Sequence, residues 1–193
     1  MKQMKYADAT KRLSAHRKEI GAIRQKMKKI QSAIAPQPVA DYTLAGAEGP
    51  VKLSQLFGAK KDLFVIHNMG ASCPYCTLWA DGFNGLYGHL ADRAAFVVVS
   101  PDPPPAQKKF AEGRGWRFPM VSHKGTDFAA DMGYRGKSGG WMPGISAFKR
   151  EKGKILRVSD AGLGPGDDFC ALWHILDLLP EGKGDWEPRY SYT

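Results

Sequence analysis

The sequence predicts an α/β fold in which a central mixed sheet is flanked by helices and preceded by a long N-terminal amphipathic helix. Two apolar runs, Leu63–His67 and Ala95–Ser100, read as buried strands, and each is followed by a helical segment. Two further strands near residues 145–148 and 155–158 are joined through Lys152-Gly153, which is typical of an antiparallel hairpin. Parallel and antiparallel strands are therefore expected in one sheet.

The first 34 residues carry most of the net charge of +9. Ten Lys and Arg residues lie there against two acidic residues, so the rest of the chain is nearly neutral. Apolar positions recur at steps of three and four from Tyr6 to Ile34, which predicts one helix that Pro36 and Pro38 end. We therefore divide the chain into a basic helix, residues 1–35, and a folded domain, residues 36–193.

An apolar stripe on a solvated helix needs a cover, either the body of the same chain or the matching helix of a second copy. We expect a homodimer through this helix. Nucleic-acid binding is not expected, because no groove-reading motif accompanies the lysines. No membrane contact is expected either, since no stretch approaches the roughly 20 apolar residues that span a bilayer.

The remaining elements follow in order along the folded domain. Residues 42–44 and 51–53 precede the first buried strand, and a helix from about Cys73 to Leu90 follows it. After the second strand come a helix through Gln107 and Phe110, a short strand at 118–121, and a short helix at 126–132. A last helix, Phe169–Leu179, follows the hairpin and ends at Pro180.

The motif Cys73-Pro74-Tyr75-Cys76 lies just after a buried strand and opens a helix. The free N–H groups and positive dipole at a helix N-terminus lower the pKa of a cysteine there, which makes Cys73 the expected nucleophile. Cys76, one turn into the helix, is the expected resolving thiol. Three cysteines are too few for a disulfide-stapled secreted protein, so a cytoplasmic thiol-disulfide oxidoreductase is the favoured interpretation.

Two other interpretations of the cysteines stay open. Cys170 and His174 are four residues apart and would complete a zinc set with Cys73 and Cys76 in a non-enzymatic binding module, although we predict no metal. A thiol-dependent peroxidase of peroxiredoxin-like type is the competing enzyme. In either enzyme no bound cofactor is expected, and an external thiol donor such as glutathione or a thioredoxin-like protein restores the dithiol.

The order of these elements, with Met142-Pro143 heading the hairpin, resembles the thioredoxin fold. That resemblance implies a cis-proline at Pro143 beside Cys73, and backbone groups of Met142 that pair with a protein or small-molecule disulfide. Pro74 and Tyr75 would contact the same substrate. His67 stands where thioredoxins have a buried aspartate, and we consider either a general base for Cys76 or a histidine satisfied by a backbone partner.

The segment from Tyr42 to Phe57 and residues 115–119 resemble the peroxiredoxin-type branch of that fold. Over nearly the whole length the chain is similar to the bacterial family known as domain of unknown function 899, and the resemblance rests on the basic helix and on residues 53–57, 73–85 and 173–180. The resemblance implies a thioredoxin-like fold with a dithiol role. Peroxiredoxins place a proline and a hydroxyl residue ahead of the reactive cysteine, and Ile66 and Gly70 stand at those positions here.

Overall fold

The computed structural model describes residues 3–192 and separates the chain into two units, Met1–Pro36 and Gln37–Thr193. The termini of the two predicted domains, residues 1–2 and Thr193, lie outside the described residues. Helix α1 spans Tyr6–Ser32 and none of its residues is buried. Its predicted stripe is present as a row of exposed side chains, which includes Leu13, Ile20 and Met27.

The second unit contains a sheet of eight strands in the order β1-β8-β7-β4-β5-β6-β2-β3. The strand bounds are β1 Gln37–Val39, β2 Thr43–Gly46, β3 Gly49–Lys52, β4 Asp62–His67, β5 Ala95–Ser100, β6 Met120–Ser122, β7 Gly144–Glu151 and β8 Lys154–Gly162. Strands β4, β5 and β6 are parallel, and β7 lies antiparallel to β4. The mixed sheet flanked by helices is thus confirmed.

The helices of this unit are α2 Pro74–Arg93, α3 Pro104–Arg114, α4 Phe128–Asp131 and α5 Ala171–Leu176, with a 3-10 turn at Gln55–Phe57. Helix α5 is shorter than the predicted Phe169–Leu179, because the side chain of Asp167 accepts the backbone N–H groups of Phe169 and Cys170 and holds them outside the helix. Among residues 3–192, no helix is both long and apolar enough to cross a bilayer.

Two apolar clusters pack against the two faces of the sheet. One contains Phe57, Phe128 and Phe148, and the other brings Trp79 and Phe83 of α2 against the sheet. Successive side chains of a strand point to opposite faces, so alternate residues of β4 belong to different clusters. This alternation decides which residues of β4 face the helix that carries the cysteines.

The hairpin of β7 and β8 turns through Lys152 and Gly153, which both have positive φ, 49° and 75°. Positive φ at both central residues is the geometry of the two-residue hairpin turn that matches the twist of the strands. Each edge of the sheet is formed by a strand of three or four residues that carries a proline, Pro38 in β1 and Pro50 in β3. Strand β1 was not predicted from the sequence, because Pro36 and Pro38 indicated only the end of the preceding helix.

Candidate active site

Cys73 lies at the N-cap of α2, six residues after the end of β4. Its backbone is extended, and Pro74 occupies the first helical position, where a missing N–H costs no hydrogen bond. Cys73 is half-buried, whereas Cys76 is only 3% exposed, and both are free thiols. The accessible thiol is therefore Cys73, as its position in the motif predicts.

Hydrogen bonds converge on the sulfur of Cys73. The backbone N–H of Cys76 donates to its Sγ at 3.1 Å. The Cys76 thiol, followed by the backbone N–H groups of Cys76 and Tyr75, lowers the pKa of Cys73 from 9.0 to about 6, although partial burial opposes this change. At neutral pH Cys73 is mainly a thiolate, the reactive form of cysteine.

The pKa of Cys76 is shifted in the opposite direction. The hydrogen bond to Cys73 raises it above the ordinary range, and burial adds to this effect. The N–H of Met69 donates to the Cys76 sulfur at 3.4 Å and favours the thiolate, but it does not reverse the shift. Cys76 thus stays protonated while both cysteines are reduced, and it does not compete with Cys73 as a nucleophile.

The loop before Cys73 is held by Asp102, a residue that the sequence analysis missed. Its carboxylate accepts the N–H of Ala71 at 2.8 Å. Gly70 has φ of +108°, and a Cβ there would lie 3.0 Å from a carboxylate oxygen of Asp102. The space next to Gly70 is thus filled by a carboxylate from the end of β5. Since parallel strands end at one sheet edge, the position of Asp102 two residues after β5 was an available signal.

His67 does not lie beside Cys76. Ile66 packs in the cluster that contains α2, whereas the imidazole of His67 stacks on Tyr134 at 3.8 Å between ring centroids, in the cluster on the opposite face. Its Nε2 lies 3.0 Å from the hydroxyl oxygen of Ser146. Burial lowers the pKa of His67 to about 3, and the imidazole is neutral. The predicted general-base role is not supported, and the alternative partner is a side-chain hydroxyl rather than the backbone.

The expectation of a cis-proline is wrong, because residues 3–192 contain no cis peptide bond. The segment is held instead by ordinary hydrogen bonds: the N–H of Met142 donates to the carbonyl of Tyr134 at 2.9 Å, and the carbonyl of Pro143 accepts from Leu163 at 3.1 Å. The trans bond is the favoured isomer and needs no further support. The Met142 N–H is therefore engaged within the chain rather than presented to a substrate.

Met142 and Pro143 line a cavity of about 440 Å³ together with Tyr134 and Arg157. None of the cysteines lines this cavity, so Met142 and Pro143 are not brought into the Cys73 site by it.

Tyr75 connects the motif to a chain of aromatic rings. Its ring centroid is 6.1 Å from that of Trp79 and 6.0 Å from that of Trp173, and Trp173 in turn lies 6.4 Å from Trp186. The hydroxyl of Tyr75 donates to the carboxylate of Glu187. The predicted contact residue Tyr75 is thus tied to the C-terminal residues, which the sequence analysis did not include in the site.

The zinc interpretation finds no supporting arrangement. Within residues 3–192, no three His, Cys, Asp or Glu side chains gather in a way that could hold a metal ion. Cys170 is buried in the cluster on the α2 face, and His174 lies 3.8 Å from Asp168.

Known proteins resemble this chain both in amino-acid sequence and in structure. Residues 1–192 match the family described as bacterial protein of unknown function, DUF899. A Mycobacterium tuberculosis protein described as a peroxiredoxin is 36% identical over 108 residues, which cover 54% of this chain and 70% of that protein.

Among solved structures, peroxidoxin BcpB from Mycobacterium tuberculosis superposes with a TM-score of 0.54 at 30% identity, over 66% of this chain and 84% of the other. A Xanthomonas campestris peroxiredoxin Q structure has a TM-score of 0.58, with coverage of 76% and 98%, and at 19% identity it shows the fold alone.

The peroxiredoxin relatives support an oxidoreductase, and their sheet and helices confirm the predicted thioredoxin-like fold. The chain is thus a member of the DUF899 family, with the thioredoxin-like fold of the peroxiredoxins.

Proposed function

We propose that this chain is a thiol-dependent peroxidase in which Cys73 is the peroxidatic cysteine and Cys76 the resolving cysteine. The observation that carries the proposal is the Cys73 sulfur, which is stabilised as a thiolate by the thiol and the N–H of Cys76. The peroxiredoxin relatives support a peroxidase more than a protein-disulfide enzyme. The three cysteines favour action in the cytoplasm, where thiols stay reduced.

The reaction has three steps. The Cys73 thiolate attacks one peroxide oxygen, an S–O bond forms, the O–O bond breaks, and the leaving oxygen takes up a proton to become water or an alcohol. The Cys76 thiol then attacks the sulfenic sulfur, so that an S–S bond forms and water leaves. Two electrons and two protons from an external thiol finally reduce the Cys73–Cys76 disulfide.

The geometry favours the second step in particular. The Cys76 thiol already hydrogen-bonds to the Cys73 sulfur, so a sulfenic acid at Cys73 forms next to its resolving group. A short-lived sulfenic acid is protected from further oxidation, which is irreversible for most cysteines from the sulfinic stage onward.

Hydrogen peroxide consumption in the presence of an excess small dithiol tests the proposal. The native chain should consume peroxide catalytically, and Cys73→Ser should not. Cys76→Ser should accumulate a sulfenic acid that a cyclic diketone traps, whereas the native chain should form an internal disulfide. Cys170→Ser is the matched control and should behave as the native chain. Peroxide consumption that survives Cys73→Ser would exclude the assignment.

A thiol-disulfide oxidoreductase is the second candidate. It is favoured by the two-residue spacing of the cysteines and by Ile66 and Gly70, which replace the proline and hydroxyl of the peroxiredoxin pattern. Insulin reduction distinguishes the two. A chain that reduces insulin readily and peroxide no faster than a free thiol would be the disulfide enzyme, with Cys73 attacking the substrate disulfide and Cys76 releasing the product.

The partners belong to the same proposal. Glutathione or a thioredoxin-like protein is the external donor, and neither reaction needs a bound cofactor. We also propose that α1 pairs with α1 of a second copy, because its apolar residues keep the heptad spacing of a coiled-coil seam from Tyr6 to Ile30.

A further inference from the structure

The C-terminal tail, residues 182–192, is fixed at one point beside the motif. The carboxylate of Glu187 accepts the hydroxyl of Tyr75, the residue between Pro74 and Cys76. Lys183 donates to the same carboxylate at 3.0 Å, and the neighbouring Pro188 is buried. This anchor lies on the helix side of Cys73.

A second anchor is formed with residues of α3. The carbonyl of Tyr190 accepts a hydrogen bond from the Arg114 guanidinium at 2.9 Å, and the Tyr190 ring meets the edge of Phe110 at 6.3 Å. Phe110 lines a cavity of about 380 Å³ with Ala71, which precedes Cys73 by two residues. Tyr190 is thus held near the loop that leads into the motif.

Only two residues, Pro188 and Arg189, separate the two anchors along the tail. Because an extended chain advances about 3.3–3.6 Å per residue, the segment from Glu187 to Tyr190 spans roughly 10 Å. It runs from the residue that binds Tyr75 of the motif to the residue that packs on Phe110, which shares a cavity with Ala71. Burial raises the pKa of Tyr190, and the negative charge of the nearby Cys73 thiolate adds to this effect, which agrees with a phenol close to that sulfur.

We propose that residues 186–190 form a size filter over Cys73 that admits small oxidants and excludes protein disulfides while both anchors are in place. The filter specifies the substrate class of the proposed peroxidase and rests on that function. Hydrogen peroxide can reach a half-buried sulfur beside the tail. A protein disulfide must bring its own backbone to the same sulfur, where the tail lies.

The filter can open, because its anchors are at the surface. Glu187 and Tyr190 are exposed residues, so the hydrogen bonds of each anchor can be replaced by hydrogen bonds to water when the tail moves. A macromolecular reductant would therefore have to displace the tail before it reaches the Cys73–Cys76 disulfide, whereas a small thiol would not.

The test compares two maleimides of equal chemistry and different size on a chain whose only remaining thiol is Cys73, the Cys76→Ser/Cys170→Ser variant. One is N-ethylmaleimide, and the other carries a long polyethylene glycol chain. Both rates are measured at one pH in this parent and in the same background with Glu187→Ala/Tyr190→Ala, which removes the carboxylate of the first anchor and the ring contact of the second. The matched control is Asp185→Ala/Ser191→Ala, which changes exposed tail residues outside the two anchors.

In the parent, the polymer reagent should be much the slower of the two. Loss of the Glu187 carboxylate and of the Tyr190 ring should raise its relative rate about tenfold, the change in open population expected when one charge-assisted hydrogen bond is lost. The control should match the parent. Tyr75→Phe removes the first anchor without altering the tail sequence, and it should also raise the relative rate of the polymer reagent. It replaces the double variant if that variant is poorly folded.

Equal relative rates in the parent and in both anchor variants would overturn the filter, as would a parent that reacts equally fast with both reagents. Alkylation reports access to Cys73 alone. A chain that reduces no peroxide would refute the proposed peroxidase and leave the alkylation ratio unchanged, so the two failures are distinguishable.

Discussion

Replacing Cys76 by alanine should raise the pKa of Cys73, because the Cys76 thiol contributes most to the low value of about 6. A hydrogen bond to a charged group contributes about 1.5–3 kcal/mol, and one pH unit corresponds to about 1.4 kcal/mol. Cys73 is half exposed, so we take the lower limit and expect an increase of about one pH unit. At pH 6 the thiolate fraction should then fall from about one half to about one tenth.

The assay is the rate of iodoacetamide alkylation between pH 5 and 9 in a Cys170→Ser background, and its midpoint gives the pKa of Cys73. Cys76→Ser is the matched variant, because its hydroxyl keeps a donor next to the sulfur and should preserve most of the lowering. If the alanine and serine variants share the midpoint of the parent, the backbone N–H groups at the helix start account for the low pKa and our reasoning is refuted.

Three further predictions concern stability and assembly. Gly144→Ala should destabilise the fold by about 1–3 kcal/mol in thermal or urea unfolding, because its Cβ would lie 2.0 Å from an aromatic ring atom, whereas Gly162→Ala, directly across the hairpin in open space, should be tolerated. Burial lowers the pKa of His67, so below pH 6.5 the unfolded chain takes up a proton at this residue and the folded chain does not. The free energy of unfolding should therefore fall by up to about 1.4 kcal/mol for each pH unit below 6.5. His67→Gln should lessen this loss relative to the exposed control His89→Gln. Deletion of residues 1–36 should leave a domain that still cycles its thiols but has a lower molar mass by light scattering, and two forms of equal oligomeric state would exclude the helix as the subunit contact.

The elements that the sequence predicted well are those whose signal is local. Strand β5 occupies the predicted Ala95–Ser100, because its apolar run ends sharply at a proline. Helix α2 begins where the motif places it, since Pro74 suits only the first turn. The order of the two thiols, with Cys73 accessible and Cys76 buried, follows from that start alone.

The features that the sequence could not reveal depend on contacts between distant residues. The face to which His67 points was undetermined at the end of its strand, and the rings of Tyr134 and Phe128 select the face away from α2. The tail has no periodicity, so its path across the site depends on partners such as Tyr75 and Arg114, which are far away in the chain.

The prolines in the two outermost strands have a consequence for behaviour at high concentration. An open sheet edge is a template on which another chain can add a strand, and the first additions nucleate aggregates. Pro38 and Pro50 each remove a backbone donor from an edge that is only three or four residues long. Growth by strand addition is therefore interrupted at both ends of the sheet. The protein should remain dispersed at concentrations where an unprotected eight-stranded sheet would form fibrous deposits.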